Sequence, residues 1–231
     1  MESDQDLCWE LRSGNEGESW YFPPIFGLGL VFNSYPLHRN HRAMAFNYPL
    51  SMGERVAYSS IEELADLLMS AYQIEGNFPR EIQEVVAYSM GGIVAFEAVK
   101  RLEQAGVKVG RLVVWDKTAQ TAPPAPDLQP ATSLRPHLAD MALQLSPDEP
   151  DHTSMVEALL HHEFLIETYQ QKGTIQCPVH VLHCPGGFDS EGFKSWEAFT
   201  SGSVSFQEIE TTHDEIPKFW QSSYRQTMQS L

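Results

Sequence analysis

The run Val85-Val86-Ala87-Tyr88-Ser89-Met90-Gly91-Gly92 has the residue types that an activated hydroxyl needs. β-Formers lead to a serine, and a helix-forming stretch, Ile93-Val94-Ala95-Phe96-Glu97-Ala98-Val99, starts directly behind it. A strand, a sharp turn and a helix would hold the Ser89 hydroxyl at the apex of a strained turn. The residues two before and two after such a serine face each other closely, and Ala87 and Gly91 are both small. The helix behind the turn aims its N-terminus at the serine, so the Met90 amide can help hold an oxyanion. On its own the short small-x-Ser-x-Gly pattern is equally that of an ordinary turn serine. The flanking strand and helix favour a nucleophile.

A serine nucleophile needs a base, and usually an acid that orients the base. His213 stands in Thr211-Thr212-His213-Asp214-Glu215, after the last expected strand and before the last expected helix, where a late loop can return to the nucleophile. Two carboxylates compete for the acid. Asp116 closes one strand and Asp189 follows the next, in Cys184-Pro185-Gly186-Gly187-Phe188-Asp189. Both lie at the carboxyl end of the expected sheet, where open α/β folds bind ligands, and spacing does not separate them. His161-His162-Glu163 offers metal-ligating types, but neighbours on a helix point about 100° apart, and the trio reads as helix surface. His180 and His183 would face opposite sides of a strand.

The elements that would position these groups alternate. Trp20-Tyr21-Phe22, Ala43 to Tyr48, Val85 to Tyr88, Arg111 to Trp115, Val179 to His183 and Ser203 to Ile209 read as strands. Residues 61 to about 73 recur at helical spacing behind a Ser60/Glu63 capping box, the helix after Ser89 ends near Gly106, and Pro217 onward is helical. This order predicts an α/β fold with a mostly parallel central sheet and helices on both faces. Residues 1–19 are polar and read as a flexible linker, with the domain proper at 20–231. From about 118 to 172 the prolines at 123, 124, 126, 130 and 136 interrupt the pattern. Helix-like pieces return only near Met155–Leu160 and Phe164–Ile166, which marks an insertion.

Composition narrows the function class. The 231 residues carry 31 acidic against 15 basic side chains, a formal charge of −16, which disfavours nucleic acid and anionic membranes as partners. Cys8, Cys177 and Cys184 are too few and too scattered for a disulfide framework or a zinc site, and a reducing cytoplasm is the expected setting. The acidic start, Met1-Glu2-Ser3-Asp4, is unlike a signal peptide, and no apolar run approaches the ~20 residues of a membrane span.

The loop Phe22-Pro23-Pro24-Ile25-Phe26-Gly27-Leu28-Gly29, the Ala87–Gly92 turn with Ala95–Ala98, the strand ending at Asp116, Trp196–Gly202 and Thr212–Glu215 together resemble the chain-terminating thioesterase domains of nonribosomal peptide synthetases. The resemblance runs from about Tyr21 to the C-terminus and implies an α/β-hydrolase fold. It implies a triad of Ser89, Asp116 and His213, with Asp189 as the second choice of acid. It also implies an oxyanion hole made by the Ile25 and Met90 amides, and a helical lid over about 118–172. Lys117, where many relatives carry a small polar residue, would place a cation near the acid.

By this resemblance no cofactor or metal is bound. A peptidyl or acyl chain arrives on the phosphopantetheine arm of a carrier domain, and the chain acts as a monomeric domain of a larger synthetase. Release from acyl-Ser89 is by hydrolysis or by macrocyclisation. The competing expectations are a free-standing editing thioesterase with Asp189 as its acid, a small-molecule serine esterase, and a binding module that holds an acyl carrier without turnover. An intact Ser, Asp and His in order disfavours the last.

Overall fold

A computed structural model describes residues 7–49, 58–75, 78–120, 131–145, 151–186 and 190–222. Its centre is a seven-stranded sheet. In chain order the strands and helices are β1 (Cys8–Arg12), β2 (Glu18–Phe22), β3 (Arg42–Phe46), α1 (Ile61–Glu75), β4 (Glu81–Ile82), β5 (Glu84–Tyr88), α2 (Gly91–Gln104), β6 (Lys108–Val109), β7 (Leu112–Trp115), α3 (Pro136–Leu145), α4 (Asp151–Thr168), β8 (Val179–His183), α5 (Ser190–Lys194), β9 (Val204–Glu208) and α6 (Ile216–Ser222). The sheet order is β1-β3-β2-β5-β7-β8-β9. All its pairs are parallel except β1 with β3, and β4 and β6 form a separate two-stranded ribbon.

Alternation along the strands sends side chains to two cores. Trp20, Phe22, Val85, Ala87, Leu112, Val114, Val179 and Val181 pack under α1 and α2. Tyr21, Val86, Tyr88, Val113, Trp115 and Leu182 pack on the other face with Ile216 and Trp220 of α6 and with Phe32 and Tyr35. Phe32 belongs to a 3-10 helix at Gly29–Ser34. The Trp220 ring lies 5.4 Å from those of Phe32 and Trp115 and 5.6 Å from that of Tyr88, so α6 is anchored against the strands that carry the site.

Several expectations are corrected. Cys8–Arg12 is not flexible linker: it pairs with β3, Cys8 opposite Phe46 and Trp9 opposite Ala45. Cys8 enters one core while Trp9 and Leu11 pack on the other. The interleaved charges hid this strand, although Glu10 is itself ion-paired with Arg42 at 2.6 Å. Proline does not interrupt everything in the insertion, since Pro136 starts α3, a first-turn position that needs no N–H. The two helix-like pieces beyond it are one continuous α4. At α1, the Glu63 amide donates to the Ser60 hydroxyl at 3.1 Å, but the Glu63 carboxylate reaches back to the Ser59 amide rather than to Ser60. The trio at 161–163 is not surface: His162 and Glu163 are buried.

α3 and α4 cover one edge of the sheet's carboxyl end. Leu138, Ala142, Met155, Ala158 and Leu159 enclose Phe26, with Ile25 and Leu28 packed alongside, so these helices seat on the loop that follows β2.

Candidate active site

β5 and β7 pair in register, Tyr88 opposite Trp115, and each turns sharply at its next residue. Ser89 and Asp116 are the two non-glycine residues with left-handed backbones among those described, with φ of 54° and 50°. Such conformations cost free energy and persist where surrounding structure holds them. Here the Ser89 amide donates to the Trp115 carbonyl at 2.9 Å, and the Asp116 amide to the Leu182 carbonyl at 2.7 Å. Both side chains thereby reach the same rim of the sheet.

His213 joins them. It opens a short 3-10 turn, His213–Glu215, between β9 and α6. Its Nδ1 lies 2.7 Å from Asp116 Oδ2, and its Nε2 lies 3.1 Å from Ser89 Oγ. A carboxylate only accepts, so Nδ1 carries the proton and Nε2 presents its lone pair to the serine hydroxyl. The other oxygen of Asp116 accepts the Cys184 amide at 2.8 Å, and the carboxyl group is almost wholly buried while the imidazole stays 40% exposed. Burial, then the neighbouring Asp116 charge, pushes the Cys184 thiol up to about 12, which keeps it neutral beside the carboxylate. Asp189 lies outside the described residues.

The small residue at 91 has a specific cause. A Cβ there would sit 2.3 Å from the Phe22 carbonyl oxygen and 2.7 Å from that of Pro23. Gly91 therefore allows the loop after β2 to press against the start of α2. Among the described residues neither the Ile25 nor the Met90 amide donates a hydrogen bond. The loop itself is tied down, with the Gly27 amide donating to the Pro24 carbonyl at 2.8 Å and the Tyr48 hydroxyl to the Pro23 carbonyl at 2.8 Å. The arrangement can move a proton from a serine hydroxyl to a ring nitrogen.

Among the described residues Lys117 makes no ion pair with the acid beside it. Its stem runs along Gly92, and burial, with Arg135 adding repulsion, lowers its amine to about 8. Sequence reasoning missed three groups that hold the site: the Cys184 amide on Asp116, the Tyr88 hydroxyl on the His213 carbonyl at 2.6 Å, and the His162 imidazole on the Ile25 carbonyl at 2.6 Å. The first follows from the register of β7 with β8, whereas the second joins β5 to the loop after β9, which is not its neighbour in the sheet. The third joins residues far apart in the chain, and no local pattern signals it.

A mostly parallel sheet carrying a serine on the turn between a central strand and its helix, with an acid one strand over and a histidine on a late loop, defines an α/β hydrolase. Within that class the chain belongs to the thioesterase-domain family, whose model matches residues 20–223. It is 29% identical over 119 residues, half of its length, to bacitracin synthase 3 of Bacillus licheniformis, and that match spans only 2% of the synthase. Among solved structures it resembles the thioesterase domain SrfTE, which cyclises the lipopeptide antibiotic surfactin. That match has 20% identity and a TM-score of 0.67, covering 98% of this chain and 95% of that one. It also resembles the type II thioesterase BorB of the borrelidin biosynthetic cluster, with 21% identity and a TM-score of 0.69, covering 99% of this chain and 94% of that one. The chain is a thioesterase-family domain whose Ser89, His213 and Asp116 have the arrangement of a serine hydrolase. Among the described residues no helix is long and apolar enough to cross a membrane.

Proposed function

We propose that this thioesterase releases a peptidyl or acyl chain from the phosphopantetheine thioester of a carrier domain, within a cytoplasmic assembly line for an antibiotic-like peptide. The observation that carries the reading is the continuous hydrogen-bonded line Ser89–His213–Asp116. Ser89 Oγ attacks the thioester carbonyl as His213 Nε2 takes its proton, and the developing oxyanion accepts from the Met90 and Ile25 amides. The C–S bond breaks, the thiol leaves with the proton from His213, and an ester on Ser89 remains. Water, or an amine or hydroxyl within the bound chain, then attacks that ester. His213 takes the incoming proton and returns it to Ser89 Oγ, giving a linear acid or a macrocycle. Asp116 keeps the imidazole in the Nδ1–H tautomer and offsets its charge when protonated.

α3 and α4 act as a lid whose apolar side covers the acyl chain and favours the internal nucleophile by excluding water. Leu138, Met155 and Leu159, gathered around Phe26 beside Ile25, support this role. The domain works as a monomer, with no bound cofactor and with the carrier as its partner. A second reading, a free-standing editing enzyme that clears misloaded carriers, draws on the comparable likeness to BorB.

Intact-protein mass spectrometry tests the reading, using wild type and Ser89→Ala mixed with peptidyl and short acyl N-acetylcysteamine thioesters and with the same groups on a carrier. A transient adduct on the wild type, absent from the variant, is expected. Cyclic product from peptidyl thioesters supports the terminating role. Turnover confined to short acyl groups supports editing. Absence of any adduct from folded protein, even with a loaded carrier, overturns the proposal.

A further inference from the structure

His162 sits on α4 with its imidazole fully buried, between the rings of Tyr58 and Tyr48 at 6.0 and 5.7 Å. Both ring nitrogens are engaged: Nδ1 lies 2.6 Å from the Ile25 carbonyl oxygen, and Nε2 lies 2.5 Å from the Tyr58 hydroxyl. A carbonyl can only accept, so Nδ1 carries the hydrogen and the Tyr58 hydroxyl donates to Nε2. Burial pulls the imidazole down to about 4 and the Tyr58 phenol well up, so both stay neutral and this donor order holds at ordinary pH. The adjacent His161 Nε2 contacts the Tyr58 carbonyl at 3.0 Å, adding a second tie between α4 and the segment before α1.

The Ile25 N–H belongs to the Pro24–Ile25 peptide, and in a trans peptide it points opposite to the Pro24 carbonyl. That carbonyl is engaged by Gly27 inside the turn, so the Ile25 N–H points out of the turn. The Pro24 ring and the Gly27–Pro24 bond make the turn a fixed body, so the direction of the Ile25 N–H follows that body as a whole, and the Ile25 carbonyl is a point at which the body can be held in place. Holding that carbonyl is what His162 does. Removal of the contact would leave the part-buried Ile25 carbonyl beside an apolar cluster without this partner, and the loop would turn to satisfy it.

We propose that His162 is a positioning residue that aims the Ile25 amide from the covering helix, so that the second half of the oxyanion hole is complete only when α4 is seated. This rests on the reading of the Ile25 amide as an oxyanion donor. The helix that covers the acyl chain and the backbone that stabilises the transition state are then one mechanical unit. Beyond the apolar packing of these helices on the loop, this hydrogen bond couples cover and chemistry.

The test uses the whole chain as wild type, His162→Leu, His162→Asn and Tyr58→Phe. It measures acylation of Ser89 by an N-acetylcysteamine thioester together with inhibition by a trifluoromethyl ketone of the same acyl group. Asparagine can place an amide nitrogen where Nδ1 lies, whereas leucine fills the space without a donor. His162→Leu is expected to lower the acylation kcat and the ketone affinity in parallel by on the order of 10-fold, less than the about 10²–10³ for a deleted donor. KM is expected to stay within about threefold, and His162→Asn to recover most of the loss. Tyr58→Phe, which removes only a hydroxyl, is expected to weaken the ketone while folding normally, and it decides the matter if His162→Leu does not fold. Wild-type ketone affinity in folded His162→Leu or, failing that, in Tyr58→Phe overturns the inference. So does an equal loss in His162→Asn and His162→Leu that tracks their melting temperatures. A wild type that forms no Ser89 adduct overturns the catalytic reading itself, which is a separate result.

Discussion

The Tyr88 hydroxyl donates a 2.6 Å hydrogen bond to the backbone carbonyl of His213, so the residue before Ser89 grips the loop that carries the base. Burial, with Asp214 and Asp116 adding to it, raises the Tyr88 phenol far above its ordinary range, and it remains a donor. Tyr88→Phe is therefore expected to lower kcat on a thioester by about 5-fold to 10-fold, the scale of one hydrogen bond. Steady-state kinetics check this, with KM expected to change little.

Replacement within the triad should separate the two carboxylates. Asp116→Asn leaves the geometry but favours the wrong tautomer of His213, and a loss of about 10³–10⁴ in kcat is expected. Asp189→Ala is expected to stay within a fewfold of wild type. The opposite ranking would assign the acid to Asp189 and favour the editing reading.

Gly91→Ala places a methyl against the Phe22 and Pro23 carbonyls, which are backbone and cannot step aside. A loss of about 2–3 kcal/mol in stability is expected from overpacking, read by urea denaturation. Any folded fraction should bind a trifluoromethyl ketone poorly, because the Ile25 loop is pushed away. Gly92→Ala meets a Val114 methyl at 3.0 Å, and it should be the milder change.

Acid should weaken the fold partly through His162. Burial pulls its imidazole down to about 4 in the folded chain, against about 6.5 unfolded, so between those values the unfolded state binds more protons. Stability therefore falls as pH drops from about 6.5, with a cost approaching about 3 kcal/mol near pH 4. Urea midpoints measured from pH 7 to pH 4 should slope less steeply in His162→Asn than in wild type.

The chemistry-bearing centre was legible because its constraints are local. A strand, a serine with small neighbours, and a helix are contiguous in the chain, and His213 stands on the loop that the alternation of elements returns to the rim. The choice of acid was not legible from the residues alone, because Asp116 and Asp189 each follow a strand and only the hydrogen bond from His213 distinguishes Asp116. β1 escaped notice because its apolar residues alternate with Glu10 and Arg12, although Glu10 is ion-paired with Arg42 rather than a mark of solvent. His162 read as surface because a histidine pair followed by glutamate looks polar. Its burial depends on Tyr48, Tyr58 and the Ile25 carbonyl meeting in space, a long-range coincidence with no local periodicity.

The stepped ladder at the sheet's rim has a consequence for how such chains diversify. Ser89 and Asp116 each stand one residue past a paired strand end, and each amide is held by the neighbouring strand. The strand spacing of about 4.8 Å thus serves as a ruler for the reacting groups, and none of the described residues between 118 and 172 is part of that ruler. A lineage can exchange most of that segment, and with it the cargo it accepts, without recalibrating the proton path. Among the described residues, the peg at His162 is a place in that segment where such an exchange would have to be keyed to the chemistry beneath.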